Sequence, residues 1–128
     1  MVNRVVSVVG LAPPAANYAH AVLTDGASRL LHTSGVVPIA PDGSVPDELA
    51  AQAAVVWSNI AAILDSADMS IGDVVSVTTY VVVGEELGPV MAARDAVFAG
   101  HVAASTLVTV PALARPEWRV EVAVVAAA

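Results

Sequence analysis

The sequence predicts an α+β fold in which two helices cover one face of a mixed sheet. Short β-branched runs bounded by Gly and Pro read as strands, and two longer segments carry helical signals. Their order along the chain is β-β-β-α-β-α-β-β, an arrangement that segregates the helices to one side of the sheet.

Arg4 to Val9 is β-branched and strand-like and ends at Gly10. Pro13-Pro14 marks a loop, and Tyr18 to Leu23 reads as the second strand. Asp25-Gly26 turns the chain into the third, Arg29 to Val37, which passes through Ser34-Gly35. After the Pro41-Asp42-Gly43 turn, Pro46 to Ala67 is the clearest helix. Leu49, Ala53, Val56, Ile60, Ile63 and Leu64 follow helical spacing, with Ser44 or Asp47 as candidate caps. Val74 to Val83 is a long strand with valine in both alternating sets, the pattern of a sheet buried on both faces. Leu87 to Ala99 is the second helix, stopped by Gly100. Ser105 to Val110 and Trp118 to Val125 are the last strands, joined by a loop containing Pro111 and Pro116.

The 128 residues suffice for one core, so a single domain over residues 1–128 is expected. The chain is 57% hydrophobic and 13% charged, about half the charge of an average soluble domain. Polar residues, Gly and Pro interrupt every apolar run before the roughly 18 residues of a membrane span. The excess apolar surface therefore predicts an oligomer rather than a membrane partner. Met1-Val2-Asn3-Arg4 runs straight into a strand-like segment without a signal-peptide layout, which predicts a cytoplasmic protein.

The chain has no cysteine, which excludes disulfides, thiolate nucleophiles and Cys-ligated metals. Nor does it contain lysine, so Schiff-base catalysis and an internal aldimine with pyridoxal phosphate are excluded. Arg4, Arg29, Arg94, Arg115 and Arg119 carry all the formal positive charge against a net charge of −7. Without a basic cluster there is little to hold a phosphate backbone, so no nucleic-acid partner is expected. His20, His32 and His101 lack metal-ligand spacing, and neither a Gly-x-Ser-x-Gly elbow nor a Gly-rich phosphate loop occurs. No metal and no organic cofactor are expected.

Four separated segments fall in one order: Asn17-Tyr18-Ala19-His20-Ala21-Val22, Thr33-Ser34-Gly35, Ala104-Ser105-Thr106-Leu107-Val108 and Val120-Glu121-Val122. Together, over roughly Leu11 to Ala126, they resemble the YjgF/RidA family of small trimeric proteins, whose best-known members hydrolyse reactive enamines and imines. The resemblance implies a chorismate-mutase-like architecture, assembled as a homotrimeric barrel with sheets inward, helices outward and ligand clefts between subunits. It also implies a small-molecule ligand.

Residue by residue, Tyr18 matches the tyrosine of the family's Gly-Pro-Tyr-Ser segment, with Ala16-Asn17 in place of Gly-Pro. Its phenol either caps the cleft and bonds a ligand or packs as a half-buried aromatic at an interface. His20 replaces a glutamine that often follows this tyrosine. Ser34 matches the serine of Ser-Gly-Gln near the bound ligand, or is a hydroxyl satisfied by backbone. Val36 replaces the glutamine. Glu121 matches the first glutamate of Val-Glu-Ile-Glu, and Ala123 replaces the second. A carboxylate in a valine and alanine strand is costly unless it is paired or lines a wet cleft. Glu121 is thus the catalytic candidate, able to position water and move a proton; the competing reading pairs it with Arg119.

The departure comes where enamine-hydrolysing relatives carry Pro-Ala-Arg-Ser/Thr, whose arginine grips the substrate carboxylate. Alignment on Val108-Thr109-Val110 puts Ser105 at that arginine, and a one-residue shift puts Ala104 there. Neither is charged, and loss of a bidentate contact costs about 2–5 kcal/mol of binding. Arg94 and Arg119 are the candidate substitutes. The sequence thus predicts a hydrolase or deaminase of an imine, enamine or similar small electrophile. Glu121 is catalytic, and Tyr18, Ser34 and Ser105 line the substrate site. The alternative is a non-catalytic trimer that binds a small metabolite.

Overall fold

The computed structural model describes residues 2–128; Met1, which opens the leader-free reading, lies outside them. Six strands and two helices follow in the order expected. They are β1 (Asn3–Val5), β2 (Val22–Thr24), β3 (Leu30–His32), α1 (Leu49–Ser66), β4 (Val74–Val82), α2 (Gly88–Phe98), β5 (Ala104–Val110) and β6 (Val120–Ala127). A 3-10 turn, Ile71–Asp73, leads into β4.

The main sheet has the order β3-β6-β4-β5. β4 and β5 are parallel, joined through α2, while β6 runs antiparallel to both β3 and β4. β1 and β2 form a separate antiparallel pair. Alternation turns Val77, Thr79 and Val81 of β4 and Val120, Val122 and Val124 of β6 toward the helices, and an irregularity after Val74 lets that residue join the valines in the core. Leu49, Ala53, Val56, Trp57, Ile60 and Leu64, spaced three or four apart, are the buried stripe of α1. By length and mean hydropathy α1 could also cross a membrane; in this fold its inner stripe closes the core. The Trp57 and Phe98 rings meet edge to face at 5.3 Å and fasten α1 to α2.

Neither expected cap of α1 forms. Glu48 occupies the cap position without a side-chain bond. The Ser44 amide and hydroxyl donate instead to Asp42 Oδ1, at 2.9 and 2.6 Å, because the preceding turn offers that carboxylate closer to hand. Those two bonds hold the Asp42 carboxyl below its usual range. The N-terminal strands are also shorter than the β-branched runs predict. Val8 and Val9 lie outside any strand, with Val9 fully exposed, since a run of valines makes a strand only where an edge is free to pair.

Two contacts tie the helices to the segments beside the sheet. Gln52, only 1% exposed, donates from Nε2 to Pro46 O at 2.9 Å and Glu117 O at 2.8 Å. Its Oε1 accepts from the Arg119 amide at 2.9 Å, so every polar atom of this buried amide works on the entry to β6. On α2, Arg94 is buried between Val90 and Phe98 and pairs with Asp95 Oδ1 at 3.1 Å. Asp95 Oδ2 accepts from Asn17 Nδ2 at 3.0 Å, anchoring the segment that carries Tyr18.

Candidate functional site

The strand registers sort the candidate residues by face. With Val120, Val122 and Val124 facing the helices, Glu121, Ala123 and Val125 face the other way. Cross-strand partners share a face, so Thr78 and Tyr80 of β4 join them, opposite Ala123 and Glu121. On β5 the same face takes Ala104, Thr106 and Val108, opposite Ser76, Thr78 and Tyr80. His32 of β3, opposite Val125, completes it. This open face is the wall on which a site can stand.

Glu121 is the carboxylate of that wall. It is half-buried, and among the described residues it forms no side-chain hydrogen bond or ion pair. Its side chain leans toward β3, where the chain passes Ser34-Gly35. Thr33 and Val36 bond the backbone of Val124 and Val122, leaving Ser34 and Gly35 together opposite Ala123 as a bulge. A Cβ on Gly35 would overlap Glu121 Oε2, so the glycine is required for the carboxylate to lie there. Ser34 and Glu121, far apart in sequence, are thus brought together. Ser34 is exposed beside the carboxylate.

Tyr18 is not brought there. Its neighbour Ala19 bridges Ala104 on the outer edge of β5, and the Ala19 amide donates to Ala103 O at 3.0 Å. β4 and β5 then intervene between this segment and β6, so within one chain its backbone runs about 14 Å from that of β6, or three strand spacings. The Tyr18 hydroxyl accepts from the Ala15 amide at 3.2 Å, and its ring meets His20 edge to face at 5.9 Å.

Ser105 is not on the wall either. It pairs with Val77, and Leu107 two residues on packs against the core, which fixes Ser105 on the helix-facing side. The parity of β5 puts Ala104 and Thr106, neither of them charged, on the face of Glu121. Neither of the two candidate substitutes stands free beside Glu121. Arg94 lies on the helix side of the sheet and is engaged by Asp95, rather than being a solvated helix charge. Arg119 pairs with Glu85 at 3.3 Å, not with Glu121.

Sequence reading missed Tyr80, which sits beside Glu121 on the wall. In a run of Val and Thr it reads as one more strand former, and only the register reveals its neighbour. Among the described residues no group of acids and histidines could hold a metal ion. The His20 and His101 Nε2 atoms lie 2.7 Å from Ala12 O and 2.8 Å from Val74 O. A cleft of about 620 Å³ opens at the far end of the sheet, bounded by β1, Val74, His101 and Ala127, and none of the candidate site residues lines it.

A sequence profile of the family described as Endoribonuclease L-PSP matches residues 9–128. The chain belongs to this family, which is the YjgF/RidA family. Over 74 residues it is 35% identical to the 2-iminobutanoate/2-iminopropanoate deaminase of Escherichia coli K12, covering 57% of this chain and 58% of that one. The chain thus spans little more than half the length of the curated relatives it matches. The crystal structure of YyfB from Yersinia pestis, a Rid-family protein of unknown function, superposes with a TM-score of 0.90 at 30% identity over 100% of both chains. The E. coli YjgF gene product superposes at 0.72 with 28% identity, covering 96% of this chain and 92% of that one. The chorismate-mutase-like architecture expected from the sequence is the fold of this Rid protein.

Proposed function

We propose that this Rid protein hydrolyses a small imine or enamine that carries no carboxylate anchor, in clefts between the subunits of a homotrimer. The observation that carries the reading is Glu121: an unpaired, half-buried carboxylate held over Gly35 on a face without a free arginine. A carboxylate so placed takes a proton from water as the water attacks the C=N carbon and gives it to the nitrogen. It then relays the carbinolamine hydroxyl proton to that nitrogen as the C–N bond breaks and C=O forms. The products are a carbonyl compound and ammonia. Ser34, next to Gly35 in the chain, is the neutral donor this reading assigns to the same intermediate.

The separation of Tyr18 from Glu121 supports clefts shared between chains, since Tyr18 serves this carboxylate only from a second copy. Ala104 supports the shift away from carboxylated substrates, because it leaves a substrate carboxylate facing Glu121 with no counter-charge. The RNA cleavage named in the family's description finds no support in a chain without lysine and with net charge −7.

The test is hydrolysis of freshly generated imines, carboxylated and neutral, by wild type and Glu121→Gln. Turnover of neutral imines that falls about 100-fold or more in the variant is expected. Binding with no turnover above background would replace this reading with a metabolite-binding trimer.

A further inference from the structure

The open face holds a second polar group that the proposed chemistry has not used. Tyr80 is the register partner of Glu121 on β4, and Val108 of β5 is its partner on the other side, so one row crosses the sheet as Glu121, Tyr80 and Val108. Side chains directly opposite on such strands have Cβ atoms about 5 Å apart. Both groups are half-buried, and among the described residues neither takes part in a side-chain hydrogen bond. The Glu121 carboxylate leans the other way, over Gly35. The phenol and the carboxylate therefore stand on one face without a bond to each other, each with its hydrogen-bonding capacity left for a ligand.

The next row of the open face offers a floor of small side chains. One row along, Ala123, Thr78 and Thr106 stand side by side on the same face, with Ala104 beyond. A ligand lying on this floor with its reacting carbon at Glu121 presents its α-substituent to Tyr80. A phenol donates one hydrogen bond to a neutral oxygen and brings no positive charge to offset a carboxylate lying beside Glu121.

We infer that Tyr80 is a substrate-binding residue that selects ligands whose α-substituent is a neutral carbonyl, an amide or ester, over the corresponding free acids. The inference rests on the site proposed above and names the substrate class that site takes. It places the specificity determinant on β4, where Tyr80 does for a neutral oxygen what an arginine at Ala104 would do for a carboxylate.

Pyruvamide and pyruvate separate the two classes, since they differ only in the group presented to Tyr80. Their binding to wild type and Tyr80→Phe, titrated by calorimetry, does not depend on turnover. Wild type should prefer pyruvamide by about tenfold, and Tyr80→Phe should lose about five- to tenfold in pyruvamide affinity with pyruvate affinity and Tm unchanged. Equal pyruvamide affinity in wild type and variant, a wild-type preference for pyruvate, or failure of both probes to bind would each overturn the inference. Imine hydrolysis run alongside distinguishes the two claims. Tyr80-dependent pyruvamide binding without turnover would sink the hydrolase reading and leave this one standing. Turnover abolished by Glu121→Gln but indifferent to Tyr80→Phe would do the reverse.

Discussion

The contact between Gly35 and Glu121 gives the site a steric lock that can be measured. Gly35 has an ordinary backbone conformation, so a side chain there is opposed only by the occupied space above it. Gly35→Ala must push the Glu121 carboxylate aside or open the bulge, a clash that costs about 1–3 kcal/mol. The same substitution in a Glu121→Ala background no longer meets the three nearest atoms, all of the Glu121 side chain, so a double-mutant cycle read by urea denaturation should show a coupling of about 1–3 kcal/mol. Additive variants would mean that the carboxylate is free to move. At this scale the sequence revealed a great deal, because Ser34-Gly35 and Glu121 each sit in a short recognisable segment. It misled on Ser105, and it passed over Tyr80. Both depend on which face a residue takes, and that parity is set by long-range pairing, of β5 with β4 for Ser105 and of β4 with β6 for Tyr80.

Among the elements, Gln52 and Asp95 hold the most with the least. Gln52→Leu keeps the helix propensity and volume of α1 but strips partners from Pro46 O, Glu117 O and the Arg119 amide, all close to the entry to β6. Buried groups left unsatisfied cost about 1–3 kcal/mol each, partly relieved where water enters, so a loss of about 2–4 kcal/mol by urea denaturation is expected. Asp95→Ala leaves the Arg94 guanidinium buried without its anion and should cost about 3 kcal/mol. Asn17→Ala removes an exposed bond to the same carboxylate and should cost under about 1 kcal/mol. Equal losses from the two would show that Asp95 matters for the Tyr18 segment and not for Arg94. The order and type of the elements were legible because apolar period and Gly/Pro punctuation set them. The caps and the N-terminal strand ends were not: Ser44 found a nearer acceptor in Asp42, and Val8 and Val9 found no edge.

For the molecule as a whole, the question is what covers the valines. The chain exposes 6963 Å², against about 6300 Å² expected for a compact monomer of 12.9 kDa. Much of the excess is apolar: Val9 is wholly exposed, Leu30 64%, Leu11 52% and Val108 39%. Leu30 and Val108 lie on the open face with Glu121, so whatever buries them also closes the site. The homotrimer proposed above would account for both facts, with a Tyr18 of one copy brought to the Glu121 of its neighbour. Light scattering on the eluted protein should therefore give three times the chain mass. Val108→Asp sets a charge on the face to be buried and should yield smaller species with imine hydrolysis lost, although the isolated fold tolerates it. A wild type that elutes as a monomer and is still active would separate the two arguments: the exposed valines would need another explanation, and Tyr18 would have no part in the chemistry.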